Sequence, residues 1–140
     1  MPDVLTDAFE IAGYGIIGLV LMVAGYAVVD VLTPGKLSTL VFEQRNRNAA
    51  TVTAASVGSM AIVAAMSVHT ADGNASTGLT AAAVYGVVGL VLMALSFVII
   101  DLLTPGKLGD IVTDPHPQPA TWVTAVAHLG VGLVIAAALS

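Results

Sequence analysis

The chain has no cysteine among its 140 residues. That excludes disulfides, thiol redox chemistry, iron–sulfur clusters and thiolate zinc sites. Charge is scarce too: four Lys and Arg, nine Asp and Glu, together 9% of the chain. A soluble domain carries about a quarter charged residues. So few basic residues leave no electrostatic footprint for nucleic acid, and no nucleic-acid partner is expected. The first ten residues, MPDVLTDAFE, contain no Lys or Arg, so they lack the basic start of a signal peptide. No small-residue cleavage site follows a short apolar core, so the first apolar segment is expected to stay as an uncleaved anchor.

What is abundant is apolar. Hydrophobic residues make up 57% of the chain and the mean hydropathy is +0.96. A small soluble domain buries only about two-thirds of the surface its unfolded chain exposes. It has nowhere to put this much apolar area, and the expected class is an all-α integral membrane protein.

Crossing a bilayer core takes about 20 predominantly apolar residues in a helix. Four stretches qualify, at about Ile11–Leu32, Ala49–Val68, Leu79–Leu103 and Ala120–Leu139. Helices are required because lipid offers no partner to backbone N–H and C=O groups. All four basic residues lie on one side of this threading: Lys36, Arg45 and Arg47 between the first two spans, Lys107 between the last two. The positive-inside rule assigns that side to the cytoplasm and both termini to the outside of the plasma (inner) membrane. Phe42 and Trp122 then fall near the cytoplasmic interface, and Tyr14 and Tyr85 toward the other.

Residues 14–37 read YGIIGLVLMVAGYAVVDVLTPGKL and residues 85–108 read YGVVGLVLMALSFVIIDLLTPGKL, with 14 of 24 positions identical at an offset of 71. The fold expected is four transmembrane helices as two tandem repeated hairpins, residues 1–78 and 79–140. Each copy crosses twice, so the duplication is of the parallel kind, about an axis along the membrane normal. Pro34 and Pro105 end the long helices. Thr33 and Thr104 are expected to cap a short helix beginning at the proline and, in the first copy, running to about Glu43. Leu37, Leu40 and Val41 would share a face of that helix, in the manner of an interfacial helix. The second loop, Asp114-Pro115-His116-Pro117-Gln118-Pro119, is expected to be extended. Ala50, Ala54 and Gly58 on the second span, and Gly18 and Gly25 on the first, are small positions that let helices approach closely in lipid.

The paired D-x-L-T-P-G-K-L corners, Asp30–Leu37 and Asp101–Leu108, within four spans resemble the YjfL-like inner-membrane family, catalogued as domain of unknown function 350. The likeness runs from Tyr14 to the fourth span. Asn48-Ala49-Ala50 matches the family's asparagine and alanines at the start of a returning helix. The second copy has Pro119-Ala120-Thr121 there instead. The resemblance implies a small polytopic protein of the bacterial plasma membrane and no established activity.

Among residues able to carry chemistry, Asp30 and Asp101 come first. Each is a carboxylate at the end of an apolar helix, close to hydrocarbon and at the negative end of the helix dipole. Such a pair can bind a cation, a proton or a polyamine nitrogen. Alternatively it structures the corner, through Thr33 and Thr104 or through Lys36 and Lys107. His128 lies deep in the fourth span, one turn from Thr124, where an imidazole can relay protons or simply hydrogen-bond its neighbours. Arg45, Asn46, Arg47 and Asn48 form a polar cluster before the second span, a candidate contact for lipid headgroups or for a partner. His69, His116 and His128 fall at different depths, so no metal site and no cofactor are expected. No nucleophile–base pair or phosphate-binding loop is present, and an enzyme is not expected. The function expected is a structural or accessory membrane subunit, in contact with the bilayer and self-associated or joined to another membrane protein. The alternative is a small cation, proton or polyamine channel or carrier built on the paired Asp residues.

Overall fold

A computed structural model describes residues 2–71 and 73–140. Among them there is no strand. Four long helices are apolar enough to cross a membrane: α1 (Pro2–Leu32), α2 (Arg47–His69), α3 (Ala75–Leu103) and α5 (Pro119–Leu139). Between α1 and α2 lies one π-helical turn, Thr39–Glu43, and between α3 and α5 a short helix, α4 (Leu108–Thr113).

The first helix begins well before the apolar segment that starts at Ile11. The stretch from Pro2 to Glu10, ahead of the expected span, is helical. Proline suits the first helical position, and the acidic residues near it favour the positive end of the dipole. Helices α2 and α3 begin a few residues before their apolar cores because polar caps take over. Asn46 accepts from the Asn48 and Ala49 amides at 2.9 and 3.1 Å to start α2, and Asn74 accepts from the Thr77 amide at 3.1 Å to start α3.

Helix α2 packs against α1, α3 and α5, and α3 also packs against α1 and α5. Small residues set the closest approaches: a side chain at Gly132 of α5 would overlap the Ser59 hydroxyl of α2. Two apolar clusters fill the bundle. One lies toward the middle of the spans: Leu21, Met60, Val63, Met93 and Ile135. The other, at the end carrying the loops, joins Val29, Val52 and Phe97 to Leu37, Leu40, Leu108 and Val112 from the short elements.

That second cluster corrects the expectation for the short helices. They do not lie as interfacial helices. Leu37, Leu40, Leu108 and Val112 are buried and plug the end of the bundle, with Val41 half-buried beside them. Inside lipid, burial of an apolar side chain brings packing but little hydrophobic gain. At the end that meets water the gain is restored, about 1.5–3 kcal/mol for each such side chain. The second corner also restarts as a helix, α4, before the proline-rich stretch takes over.

Candidate functional site

The two corners share one construction. After Leu32 and Leu103 the chain turns through Pro34-Gly35 and Pro105-Gly106. The glycines stand at φ 87° and 78°, a left-handed conformation that glycine adopts without steric cost. The next helical segment begins at Leu37 or Leu108, three residues later than the proline. Its first free amide is capped from behind: Asp30 Oδ1 accepts from Leu37 N at 2.7 Å, and Asp101 Oδ1 from Leu108 N at 2.8 Å.

This geometry overturns the expected role of the threonines. Thr33 and Thr104 close the long helices rather than open the short ones. Thr33 N donates to Val29 O at 3.0 Å, and Thr104 donates to Ile100 O through its amide at 3.0 Å and its hydroxyl at 2.7 Å. A left-handed glycine follows each proline, so no helix can start at the proline, and the threonine is too early to cap one. Lys36 and Lys107 are exposed. Among the described residues neither pairs with a carboxylate; the carboxylate of Asp114 instead meets His116 Nδ1 at 3.3 Å. The corners also touch each other, the Pro34 ring lying against Gly109.

The most connected polar group is Asn48. It is buried, and the expectation that it meets headgroups or a partner fails because its amide is saturated from within the chain. Its Nδ2 donates to the carbonyls of Asp114 (3.0 Å) and His116 (2.8 Å), and its Oδ1 accepts from Gln118 N and Thr121 Oγ1, both at 3.0 Å. Asn46 Nδ2 adds a donor to the Asp114 carbonyl at 2.9 Å. The logic is one of supply. A segment of alternating prolines cannot donate enough backbone hydrogen bonds to satisfy its own carbonyls. The carbonyls preceding Pro115 and Pro117 take theirs from two asparagines of the other hairpin. Asp114, Gln118 and Thr121 were not singled out as a site from sequence. The signal was there: at the offset of 71, Asn46 and Asn48 align with Pro117 and Pro119.

The Asp114 side chain completes the loop. It accepts from His116 N at 2.8 Å and Gln118 Nε2 at 2.6 Å. The His116 amide first, then the Gln118 side chain, hold its carboxyl below the ordinary 3.8. A carboxyl lowered on folding stabilises above its unfolded value and loses that contribution as pH falls through the folded one. The loop is therefore expected to hold through mildly acid pH and to loosen only below 3.8. The His116 amide resonance, followed by NMR in micelles, should titrate with a midpoint below that value. A midpoint at or above it would contradict these contacts.

His128 is buried on α5 against Phe97, ring centroids 4.8 Å apart and edge to face. Its Nδ1 lies 2.7 Å from Thr124 O. A carbonyl only accepts, so Nδ1 carries a proton, and in the neutral ring Nε2 presents a lone pair. That Nε2 and Thr53 Oγ1 are buried without a partner among the described residues. The Thr124 hydroxyl is spent on Ala120 O at 3.0 Å. The histidine's carbonyl also ties α5 to α2, accepting from Ser59 Oγ at 2.8 Å. Arg45 and Arg47 are exposed, Arg45 with φ 52° where the π-helical turn gives way to the Asn46 cap. Among the described residues no cluster of three acidic, histidine or cysteine side chains can hold a metal ion.

A family model described as Domain of Unknown Function (DUF350) matches residues 3–139. A UPF0719 transmembrane protein of Mycolicibacterium paratuberculosis is 34% identical over 140 residues, covering all of this chain and 93% of the relative. UPF0719 transmembrane proteins of Mycobacterium bovis and Mycobacterium tuberculosis are each 39% identical over 127 residues, 91% of this chain and 84% of theirs. No solved structure matches the chain. With the four apolar helices and the family match in hand, the chain belongs to the DUF350 family and is a transmembrane protein.

Proposed function

We propose that this protein is a structural or accessory subunit of the plasma membrane, without catalytic activity of its own, that assembles with further copies of itself or with another membrane protein. One observation carries the reading: both corner carboxylates are engaged in holding the chain, each on the first amide of the following helical segment. A carboxylate used as a cap is a fixed part of the corner. The shared Asp-to-Leu bond also supports two hairpins of one design, residues 1–78 and 79–140. The four basic residues favour a cytoplasmic loop end with both termini outside.

Support for assembly comes from the outer surface. A groove of about 610 Å³ runs between α1 and α2, lined by Gly15, Gly18, Ala61 and Ala65 among others. Nothing lies within 4 Å of where a side chain would stand on Gly15 or Gly18. Small residues in lipid let a further helix approach closely.

A second reading, a cation, proton or polyamine carrier, draws on His128, whose buried Nε2 lone pair has no partner among the described residues. Paired substitutions separate the two. Asp30→Asn with Asp101→Asn keeps an oxygen to accept the amides and removes both charges. Under the accessory reading this double variant folds and assembles as before, and wild-type liposomes show no pH- or cation-dependent flux above empty ones. Asp30→Ala with Asp101→Ala should lose about 1–2 kcal/mol at each corner. Flux that the Asn pair abolishes in a folded protein would establish the carrier instead.

A further inference from the structure

A recess of about 320 Å³ opens between the first turns of α2 and α5, lined by Arg47, Ala50, Thr51, Gln118, Thr121 and Trp122 among others. Most of its polar atoms are already spent. Thr51 Oγ1 donates to Arg47 O at 2.8 Å, Thr121 Oγ1 to Asn48 Oδ1 at 3.0 Å, and Gln118 Nε2 to Asp114 Oδ2 at 2.6 Å. The side-chain donors with no partner at all are the Arg47 guanidinium and the Trp122 indole N–H. Among the described residues neither has an ion-pair or hydrogen-bond partner. The acidic neighbour, Asp114, has its carboxylate turned to the Gln118 amide and the His116 N–H.

Along the spans beyond the recess the surface becomes apolar. On α2 follow Ala54, which is exposed, and Gly58, where a side chain would meet only Leu129, at 3.6 Å. On α5 Val126 and Leu133 stand 65% and 58% exposed on the Trp122 side of the helix. The small residues of α2 and the large ones of α5 thus give an apolar surface along the spans beyond the cation and the indole.

We propose that this recess holds the phosphate of an anionic phospholipid, with an acyl chain along the Ala54–Gly58 and Val126–Leu133 flanks. A guanidinium presents a planar fork that suits phosphate oxygens. Tryptophan belongs at the membrane–water boundary, where its indole N–H meets the headgroup region. Basic pockets between spans are suited to acidic headgroups. The apolar flanks select a lipid over free phosphate. The site stands apart from the corners and does not depend on the accessory reading.

Trp122 is the single tryptophan of the chain, so its fluorescence reports on this recess alone. The full chain is reconstituted in phosphatidylcholine vesicles with a minor fraction of brominated phosphatidylglycerol, or the same fraction of brominated phosphatidylcholine. The anionic quencher should act as though enriched about fivefold at Trp122. Arg47→Gln should equalise the two lipids. Arg47→Lys, a charge without the fork, should keep part of the preference, and Arg45→Gln, outside the recess, should keep all of it. Equal quenching of the wild type, or a preference that survives Arg47→Gln, overturns the proposal. So does an equal loss in Arg45→Gln, which would reduce the effect to general surface charge. Displacement of the preference by millimolar inorganic phosphate would refute the lipid assignment.

Discussion

Replacing Asn48 with alanine is expected to destabilise the bundle by about 2–4 kcal/mol. The loss is large because one amide serves four partners. Its removal strands the His116 carbonyl, the Gln118 amide and the Thr121 hydroxyl together, and takes one of two donors from the Asp114 carbonyl. Asn46 remains bonded to Asp114 O and cannot reach the rest. Asn48→Asp should be worse than alanine, since it sets a carboxylate against two carbonyls that need a donor. Reversible unfolding in mixed micelles measures both, and limited proteolysis between Asp114 and Gln118 reports whether the loop has come free. A wild-type unfolding curve for Asn48→Ala, within about 0.5 kcal/mol, would show that the prolines hold the loop without help.

Gly132→Leu should cost about 3 kcal/mol by a different route, overpacking. A β-carbon at Gly132 would lie 3.0 Å from the Ser59 Cα and overlap the Ser59 hydroxyl, so part of the clash is with backbone that cannot rotate away. Pushing α5 off α2 also breaks the bond from Ser59 Oγ to the His128 carbonyl and its contact with Met93 Sδ at 3.2 Å. Ser59→Gly in the same chain makes room and should recover part of the loss. That non-additivity marks a direct contact between the two positions. Unfolding of the single and double variants checks it. A Gly132→Leu protein as stable as wild type would mean that α2 and α5 do not meet at this point.

Corners and spans were legible in the sequence for local reasons. A run of apolar residues long enough to cross lipid has one economical backbone conformation, and Pro followed by Gly ends it wherever it occurs. What each corner residue bonds was not legible. The Asp-to-Leu hydrogen bonds link residues seven apart across a turn, and they exist only because Gly35 and Gly106 swing the chain back under the preceding helix. Nearest neighbours in sequence suggested Thr33 and Lys36 as partners. The left-handed glycines put Leu37 there instead.

Residue order and composition alone settled that this is a helical membrane chain, where its spans run, and that two corners recur with the same letters. Those properties follow from hydropathy and local backbone sterics, which need no knowledge of neighbours. Which face of each span turns inward was a matter for the folded bundle, because these helices are apolar nearly all round and lipid does not select a buried side. The union of Asn48 with a proline loop 66 to 73 residues away, and the enclosure of His128 against Phe97, likewise came only from packing. Unmet hydrogen-bond demand in one hairpin has to find supply in the other, and only the assembled chain brings the two into reach.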